Sequence, residues 1–367
     1  MTKDCLRQLP LDSRWKQGFR RRLFAWYAKH ARALPWRRSA NPYRVWVSEV
    51  MLQQTQVATV IPYFERFLKV FPTVKCLAAA EEQHVLRLWE GLGYYRRAKQ
   101  LHAAAQAIVS EHGGRFPRDV AGLQTLPGIG RYTAGAIASI AFGERAPILE
   151  ANTIRLLSRL IGYRLDPAQA GAQRLLWQTA EEILPRKEIA IFNQGLMELG
   201  ALVCTPKEPR CDVCPVVALC AAHAADLQEK IPASGRKTAV TAVNEAAVVV
   251  RKQGRILVRQ CAAGQRWAGL WDFPRFEMEG EGPLFVRDEL IAKVRAQTGV
   301  EIQPGGLLRT IRHGVTRYRI TLDCYEACYV SGRIRSTVAN PVRWLPARGL
   351  RDLPLSSTGR RITRLID

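Results

Sequence analysis

Residues 126–155, LPGIGRYTAGAIASIAFGERAPILEANTIR, constrain this chain more than any other stretch. Leu126-Pro127-Gly128-Ile129-Gly130 is a tight apolar turn, and Thr133-Ala134-Gly135-Ala136 then opens a small-residue helix. Gly128 and Gly130 are expected to adopt backbone angles that other residues resist and to let the main chain approach a ligand closely. Amide N–H groups in such a turn, beside a helix N-terminus, form an anion site. Glu150 and Asn152 follow just beyond, so one helix ties an anion cradle to a carboxylate. A bare Gly-x-Gly is satisfied by an ordinary helix–turn–helix, so the string has to be weighed with the rest of the chain.

The chain has 367 residues, enough for two domains, with 55 Lys and Arg against 32 Asp and Glu, a net charge of +23. Residues 1–242 carry 34 basic and 20 acidic side chains, and residues 243–367 carry 21 and 12. Both parts are basic, which argues against a lone basic tail and for a polyanion partner, nucleic acid ahead of membrane. A generally arginine-rich proteome is the bland alternative. No run of 18 apolar residues exists, and the start, MTKDCLRQLP, lacks an apolar signal region. Nine cysteines in that context read as reduced thiols or metal ligands in a cytoplasmic setting.

Residues 13–33 form an amphipathic basic helix, capped by Ser13 and burying Phe19, Leu23, Trp26 and Tyr27. Pro35 and Pro42 mark 34–42 as a loop. A helix follows with Ser48 near its start and Glu49 in its first turn, among Val45, Trp46, Val47, Val50, Met51 and Leu52. A carboxyl desolvated in this way keeps its proton to higher pH, as a general acid must; a glutamate serving the helix dipole is the competing explanation. Gln53, Gln54 and Thr55 offer donors and acceptors for a base edge, or are polar surface. In Glu90-Gly91-Leu92-Gly93-Tyr94-Tyr95-Arg96-Arg97, Leu92 or Tyr94 is a candidate wedge into a base stack with arginines on phosphate; a helix cap with two half-buried tyrosines reads equally well.

Residues 152–203 are helical by pattern, with breaks near Asp166-Pro167 and Pro185. Cys204, Cys211, Cys214 and Cys220 then follow in a proline-rich stretch that is neither helix nor strand. Four thiolates so spaced can wrap one metal centre, zinc or an iron–sulfur cluster. Lys207 and Arg210 sit among them, placed to meet phosphate. Cys5, Cys76, Cys261, Cys324 and Cys328 show no ligand spacing. Residues 229–242 read as a linker. Beyond it come two β-runs of alternating apolar residues across a Gln253-Gly254 turn, a helix near 284–297, and strands at 307–313 and 316–330, a small mixed α/β domain.

The string LPGIGRYTA resembles the helix-hairpin-helix of the DNA base-excision glycosylases, in which the hairpin holds one DNA strand and a carboxylate beyond it faces the reacting sugar. With that hairpin, at about 123–143, the four cysteines are similar to the [4Fe–4S] loop of the endonuclease III branch. The C-terminal domain resembles a Nudix fold, but Ala292, Lys293, Val294 and Arg295 stand where Nudix hydrolases carry Mg²⁺-binding glutamates. This domain is therefore expected to bind and not to hydrolyse. The expected organisation is a mainly α helix-hairpin-helix glycosylase domain over 1–228 with its iron–sulfur loop at 204–220, a linker over 229–242, and a smaller Nudix-like α/β domain over 243–367.

LPWR, WVSEVMLQQTQV, EGLGYYRRA, LPGIGRYTA, FNQGLMELGALVC, the cysteines and the tail occur in one order that closely resembles the adenine DNA glycosylases of the MutY type. The resemblance implies a monomer on double-stranded DNA, nucleoid-associated and with no membrane partner, that removes adenine opposite 8-oxoguanine or guanine. It makes Glu49 the general acid and Glu150 the carboxylate facing the sugar, with Tyr132 and Asn152 orienting groups. Trp36, Arg37, Gln54 and Thr55 would line the adenine pocket, Leu92 and Tyr94 would stand near the vacated base, and Gly128 and Gly130 would hold the strand. Tyr132 stands where bifunctional relatives have a Schiff-base lysine, so little strand cleavage is expected. Two departures stand out. The family's LDGN string is Leu149-Glu150-Ala151-Asn152 here, a carboxylate with one more methylene, and the family's Phe-Ser-His string is replaced by Arg312–Arg317, where Thr316 offers a hydroxyl and Arg317 a cation. A glycosylase for another base, or a lesion binder weakened at Glu150, are the competing expectations.

Overall fold

The computed structural model describes residues 11–233, 239–280 and 282–366, so Cys5 and part of the expected linker lie outside the described residues. The chain divides into two compact units, Met1–Ala79 with Gln100–Lys237, and Ala80–Lys99 with Thr238–Asp367. In chain order the helices are α1 (Ser13–His30), α2 (Pro42–Leu52), α3 (Val57–Val70), α4 (Val74–Ala78), α5 (Glu82–Trp89), α6 (Arg96–His112), α7 (Val120–Gln124), α8 (Arg131–Phe142), α9 (Ala151–Ile161), α10 (Ala170–Ile183), α11 (Ile189–Leu202) and α12 (Ala221–Ala224). No helix among the described residues is long and apolar enough to cross a membrane.

The first unit is helical. Phe19, Leu23, Trp26 and Tyr27 of α1 pack with Leu156 and Leu160 of α9, Leu176 of α10 and Phe192 and Leu196 of α11 in one core. Asp12, not Ser13, caps α1, accepting from the Trp15 N–H at 2.7 Å; a carboxylate one residue earlier reaches that orphan donor, so Ser13 becomes the first helical residue. The helix expected to begin near Ser48 begins at Pro42, with Asn41 accepting from the Tyr43 and Arg44 N–H groups. Proline needs no N–H partner at a first helical position, so Pro42 starts the helix instead of closing a loop. Glu49 therefore lies well inside α2, and an N-terminal dipole role is ruled out.

The helix-hairpin-helix is formed by α7, the turn at 125–130 and α8. Gly128 has φ +73°, and a Cβ there would meet Gln100 Cβ at 2.6 Å. Gly130, contrary to expectation, has φ −82° and ψ 175° and open space around its missing Cβ. Only Gly128 is demanded by the turn.

The second unit is built on β1 (Thr241–Lys252), β2 (Arg255–Gln260), β3 (Trp271–Asp272), β4 (Arg275–Glu277), α13 (Pro283–Thr298), β5 (Val300–Val315), β6 (Tyr318–Gly332), β7 (Val342–Pro346) and α14 (Ser357–Ile366). The sheet order is β3-β2-β1-β6-β5, with β4 on β1, β7 on β2, and β1 parallel to β6. On β1, Ala247 and Val249 join a core with Ile362 and Ile366 of α14, while Ala246, Val248 and Val250 join another with Leu290 and Val294 of α13. Helices cover both faces, so residues 245–250 are buried without the alternation expected of these strands. Gln253 and Gly254 turn with φ 47° and 74°, as the sequence suggests. The strands expected at 307–313 and 316–330 extend to 300–315 and 318–332, because one long antiparallel ladder pairs Val300 with Gly332 through to Val315 with Tyr318.

Gly128→Ala should lower the stability of the hairpin by about 1–3 kcal/mol, since alanine resists that backbone region and meets Gln100. Gly130→Ala should be near neutral. Urea unfolding of the two variants side by side checks the difference.

Candidate active site

A cavity of about 510 Å³ opens in the first unit, lined among others by Trp36, Arg37, Glu49, Gln54, Thr55, Tyr132, Glu150 and Asn152. This lies within the range of small-ligand sites (~300–1,000 Å³). The sequence singles out all eight residues; the fold brings them together from α2 and its flanks, the first turn of α8 and the start of α9.

Glu49 is 5% exposed. Burial pushes its carboxyl up to about 7, opposed by a hydrogen bond that the Tyr132 hydroxyl donates to Oε2 at 2.5 Å, with the Glu150 charge adding to the rise and Arg37 opposing it. Tyr132, also buried and facing both carboxyls, is held well above its ordinary value and remains a phenol. Glu150 sits differently. It is the N-cap of α9, and its side chain folds back to accept from the Asn152 and Thr153 N–H groups at 2.9 and 3.0 Å and from Asn152 Nδ2 at 3.3 Å. Burial raises this carboxyl as well, but those donors and Arg155 favour the charged form. The extra methylene of glutamate is taken up in this capping box.

Asn152 is fixed from behind. Arg155 donates to Asn152 Oδ1 at 2.9 Å, to Cys204 O at 2.7 Å and to Gly200 O at 2.7 Å. At Gly200 any Cβ would meet Asn152 Cβ at 2.8 Å, so glycine lets α11 close onto the start of α9. Trp36 packs edge-on against Phe64. Gln54 is exposed in the left-handed region with φ 57°, and the Thr55 hydroxyl donates to Gln53 O at 3.3 Å.

Sequence reasoning missed Glu198 of α11, which also lines the cavity. Burial alone would raise its carboxyl, but it accepts from Arg32 at 2.7 and 2.9 Å and from Arg37 at 2.8 Å, which bring it down to about 2. Glu198 thus anchors Arg37 at the cavity wall. Its signal was an acid inside the apolar string FNQGLMELG.

Leu92, Tyr94, Thr316 and Arg317 belong to the second unit. Gly91, Gly93 and Tyr94 all have positive φ, and Leu92 is buried whereas Tyr94 is 48% exposed. Glu90, at the start of that loop, accepts from Arg360 at 2.6 and 3.0 Å and from the Leu355 N–H at 3.2 Å. Thr316 and Arg317 form the tip of the β5–β6 hairpin, with Thr316 at φ 51°. Gly128 and Gly130 do not line the cavity.

Cys204, Cys211, Cys214 and Cys220 line one small separate cavity with Arg159 and His223. Arg159 donates to Cys204 Sγ at 3.2 Å and to Thr205 O at 2.7 Å. Burial pushes the Cys214 thiol up to about 12 and raises Cys211 and Cys220. Among the described residues no three His, Cys, Asp or Glu side chains stand close enough to share a single ion. The four cysteines line one shared space, and thiolates are the donors that both zinc and iron–sulfur groups take. Of the other cysteines, Cys261 and Cys324 are buried, and Cys76 and Cys328 exposed.

Residues 47–182 match the HhH-GPD superfamily of base excision DNA repair proteins, and residues 245–365 match the NUDIX domain. An adenine DNA glycosylase of Rattus norvegicus is 33% identical over 402 residues, covering 95% of this chain and 78% of that protein. One from Buchnera aphidicola subsp. Schizaphis graminum is 37% identical, covering 71% and 75%. The chain belongs to the adenine DNA glycosylase family. It is 46% identical to the Homo sapiens adenine DNA glycosylase over 63% of its own length and 44% of that protein. The solved structure of a thermostable thymine-DNA glycosylase matches 59% of this chain and 99% of its own at a TM-score of 0.54 and 27% identity. In this family member Glu49, Tyr132, Glu150 and Asn152 therefore lie in the stretch that matches the HhH-GPD superfamily, and α13 lies in the stretch that matches the NUDIX domain.

A raised carboxyl that must be protonated to act gives a rate that is full below about pH 7 and falls above it, through an apparent pKa shared by Glu49 and its coupled neighbours. Glu49→Gln should abolish that limb and slow base release by about 10²–10⁴-fold. Single-turnover rates from about pH 5.5 to about pH 9, a range that brackets the value near 7, measure both.

Proposed function

We propose that this chain is a monofunctional DNA glycosylase, acting as a monomer on double-stranded DNA to excise adenine mispaired with 8-oxoguanine or guanine. The observation that carries the reading is the pair of unlike carboxyls in one cavity: Glu49 buried and poised to hold a proton, and Glu150 held by N–H donors. The target base has to leave the stack to be reached. Glu49 then gives its proton to N7 of the flipped adenine, the electrons of the glycosidic bond pass to the base, and the sugar becomes oxocarbenium-like. The Glu150 carboxylate stabilises that charge from a preorganised position, and water completes the hydrolysis. Tyr132 orients Glu49 and Asn152 orients Glu150. Trp36, Arg37, Gln54 and Thr55 line the adenine pocket. Tyr132 has no amine, so no Schiff base forms and the strand stays intact.

Tyr94, the exposed member of its loop, is the candidate wedge, with buried Leu92 supporting it. Thr316 and Arg317 at the hairpin tip are candidates to read the opposite base. Cys204, Cys211, Cys214 and Cys220 would hold a [4Fe–4S] cluster, which when bound cross-links the loop and is assigned no chemical step. The functional domains are 1–228 and 243–367, joined by 229–242. The second binds without hydrolysing, since Lys293 of α13 pairs with Glu289 and Glu279 where Mg²⁺-binding glutamates would be needed.

Single-turnover assays on duplexes differing only in the mispair, with hot alkali revealing abasic sites, test the reading. Product is expected from A opposite 8-oxoguanine and G alone; release of another base instead overturns it. Glu150→Gln should slow release by about 10²–10³-fold, and Glu150→Asp should retain it. A brown visible absorption at about 400 nm in protein purified without oxygen is expected of the cluster, and its absence with bound zinc would overturn that assignment.

A further inference from the structure

Arg309 and Arg312 of β5 and Arg361 and Arg364 of α14 meet around an open groove of about 490 Å³ in the second unit, completed by Thr310, Ile311 and Leu365. The packing explains how four like charges come together. Ile311, Ile362 and Ile366 turn inward into one core, which leaves the arginines of both elements exposed at the rim. Arg361 and Arg364, three residues apart, share one helix face.

Several arginines of this unit are neutralised, which the groove arginines are not. Arg275 pairs with Glu245 and Asp272, Arg266 with Glu245, and Arg360 with Glu90. Among the described residues none of the four groove arginines has a carboxylate within ion-pair distance. The Asp323 carboxylate, across the ladder on β6, is engaged by the Thr310 hydroxyl at 2.5 Å. Four guanidinium groups without a counter-charge repel one another, and an anion with several oxygens relieves that repulsion. Guanidinium forks match phosphate oxygens two at a time.

We propose that this groove grips backbone phosphates of the duplex to one side of the mispair. The clause on the mispair rests on the function proposed above; backbone binding does not. Arg312 lies four residues before Thr316 at the hairpin tip, at most about 13 Å at ~3.3 Å per residue. That is comparable to the axial rise of roughly four base pairs at 3.4 Å each, so with the hairpin tip at a base the groove stays within reach of phosphates a few base pairs away. A free phosphate ester, such as a nucleotide, has the same chemistry and is the other source to be separated.

The test uses the full-length protein with Arg309→Gln/Arg312→Gln, Arg361→Gln/Arg364→Gln and all four together. Arg333→Gln/Arg335→Gln, exposed in the same unit, is the charge-matched control for each pair. Affinity for an undamaged duplex is measured against salt, so the result does not depend on which mispair is the substrate; adenine release by the unchanged protein is measured separately. Each lost phosphate contact lowers the slope of log K against log [salt] by about 0.9. The fourfold variant should lose about 2–4 in slope, each pair about half of that, and the control less than about 1. Thermal midpoints should be kept or raised as the repulsion is removed. Slopes and affinities equal to the control's overturn the proposal. So does titration calorimetry in which inorganic phosphate or dAMP binds the unchanged protein but not the fourfold variant while the slopes stay the same, which would make the groove a free phosphate-ester site.

Discussion

The structure depends on the desolvation of one carboxyl. Glu49 sits in a stretch of α2 buried from Val45 to Met51, and among the described residues no lysine or arginine pairs with it directly. An unpaired buried carboxylate costs several kcal/mol, so the group keeps its proton near neutral pH instead. Tyr132 makes this tolerable by donating to one oxygen without supplying a charge. The helix-hairpin-helix earns its place in the same way: the turn that demands Gly128 also fixes where α8 begins, and Tyr132 is its second residue.

The second carboxyl meets the same desolvation but with more opposing donors. Half-buried Glu150 is raised by burial, yet the first turn of α9 points its unsatisfied N–H groups at it, which favours the charged form. Two chemically identical side chains thus differ because one meets an apolar helix and the other a helix terminus. Behind Glu150, Asn152, Arg155 and Arg159 step along one side of α9 and reach Cys204 through its carbonyl and its sulfur. The cysteine loop and the Glu150 carboxyl therefore share α9 as their support.

Much of this was legible in the chain. The apolar surroundings of Glu49, the Leu-Pro-Gly-Ile-Gly turn and the grouping of four cysteines each reflect a local property of solvation, backbone angle or side-chain chemistry. The errors have local causes too. Pro42 reads as a breaker, yet it is benign at a first helical position; Gly130 reads as a second special glycine, yet its backbone is ordinary. Glu198 was passed over because its role comes from Arg32 and Arg37, more than 160 positions away along the chain.

The sequence by itself determined the kind of chemistry: which residues can hold or give a proton, where the backbone must turn, which thiols can serve together, and that a basic surface awaits a polyanion. These follow from side-chain type and short-range spacing. Only the tertiary structure decided that Glu49 and Glu150 face one cavity, that Glu198 holds Arg37 there, and that four arginines from β5 and α14 share a groove. Burial, proton affinity and charge clustering depend on which distant segments pack together, and that is a property of the folded chain and not of any stretch of it.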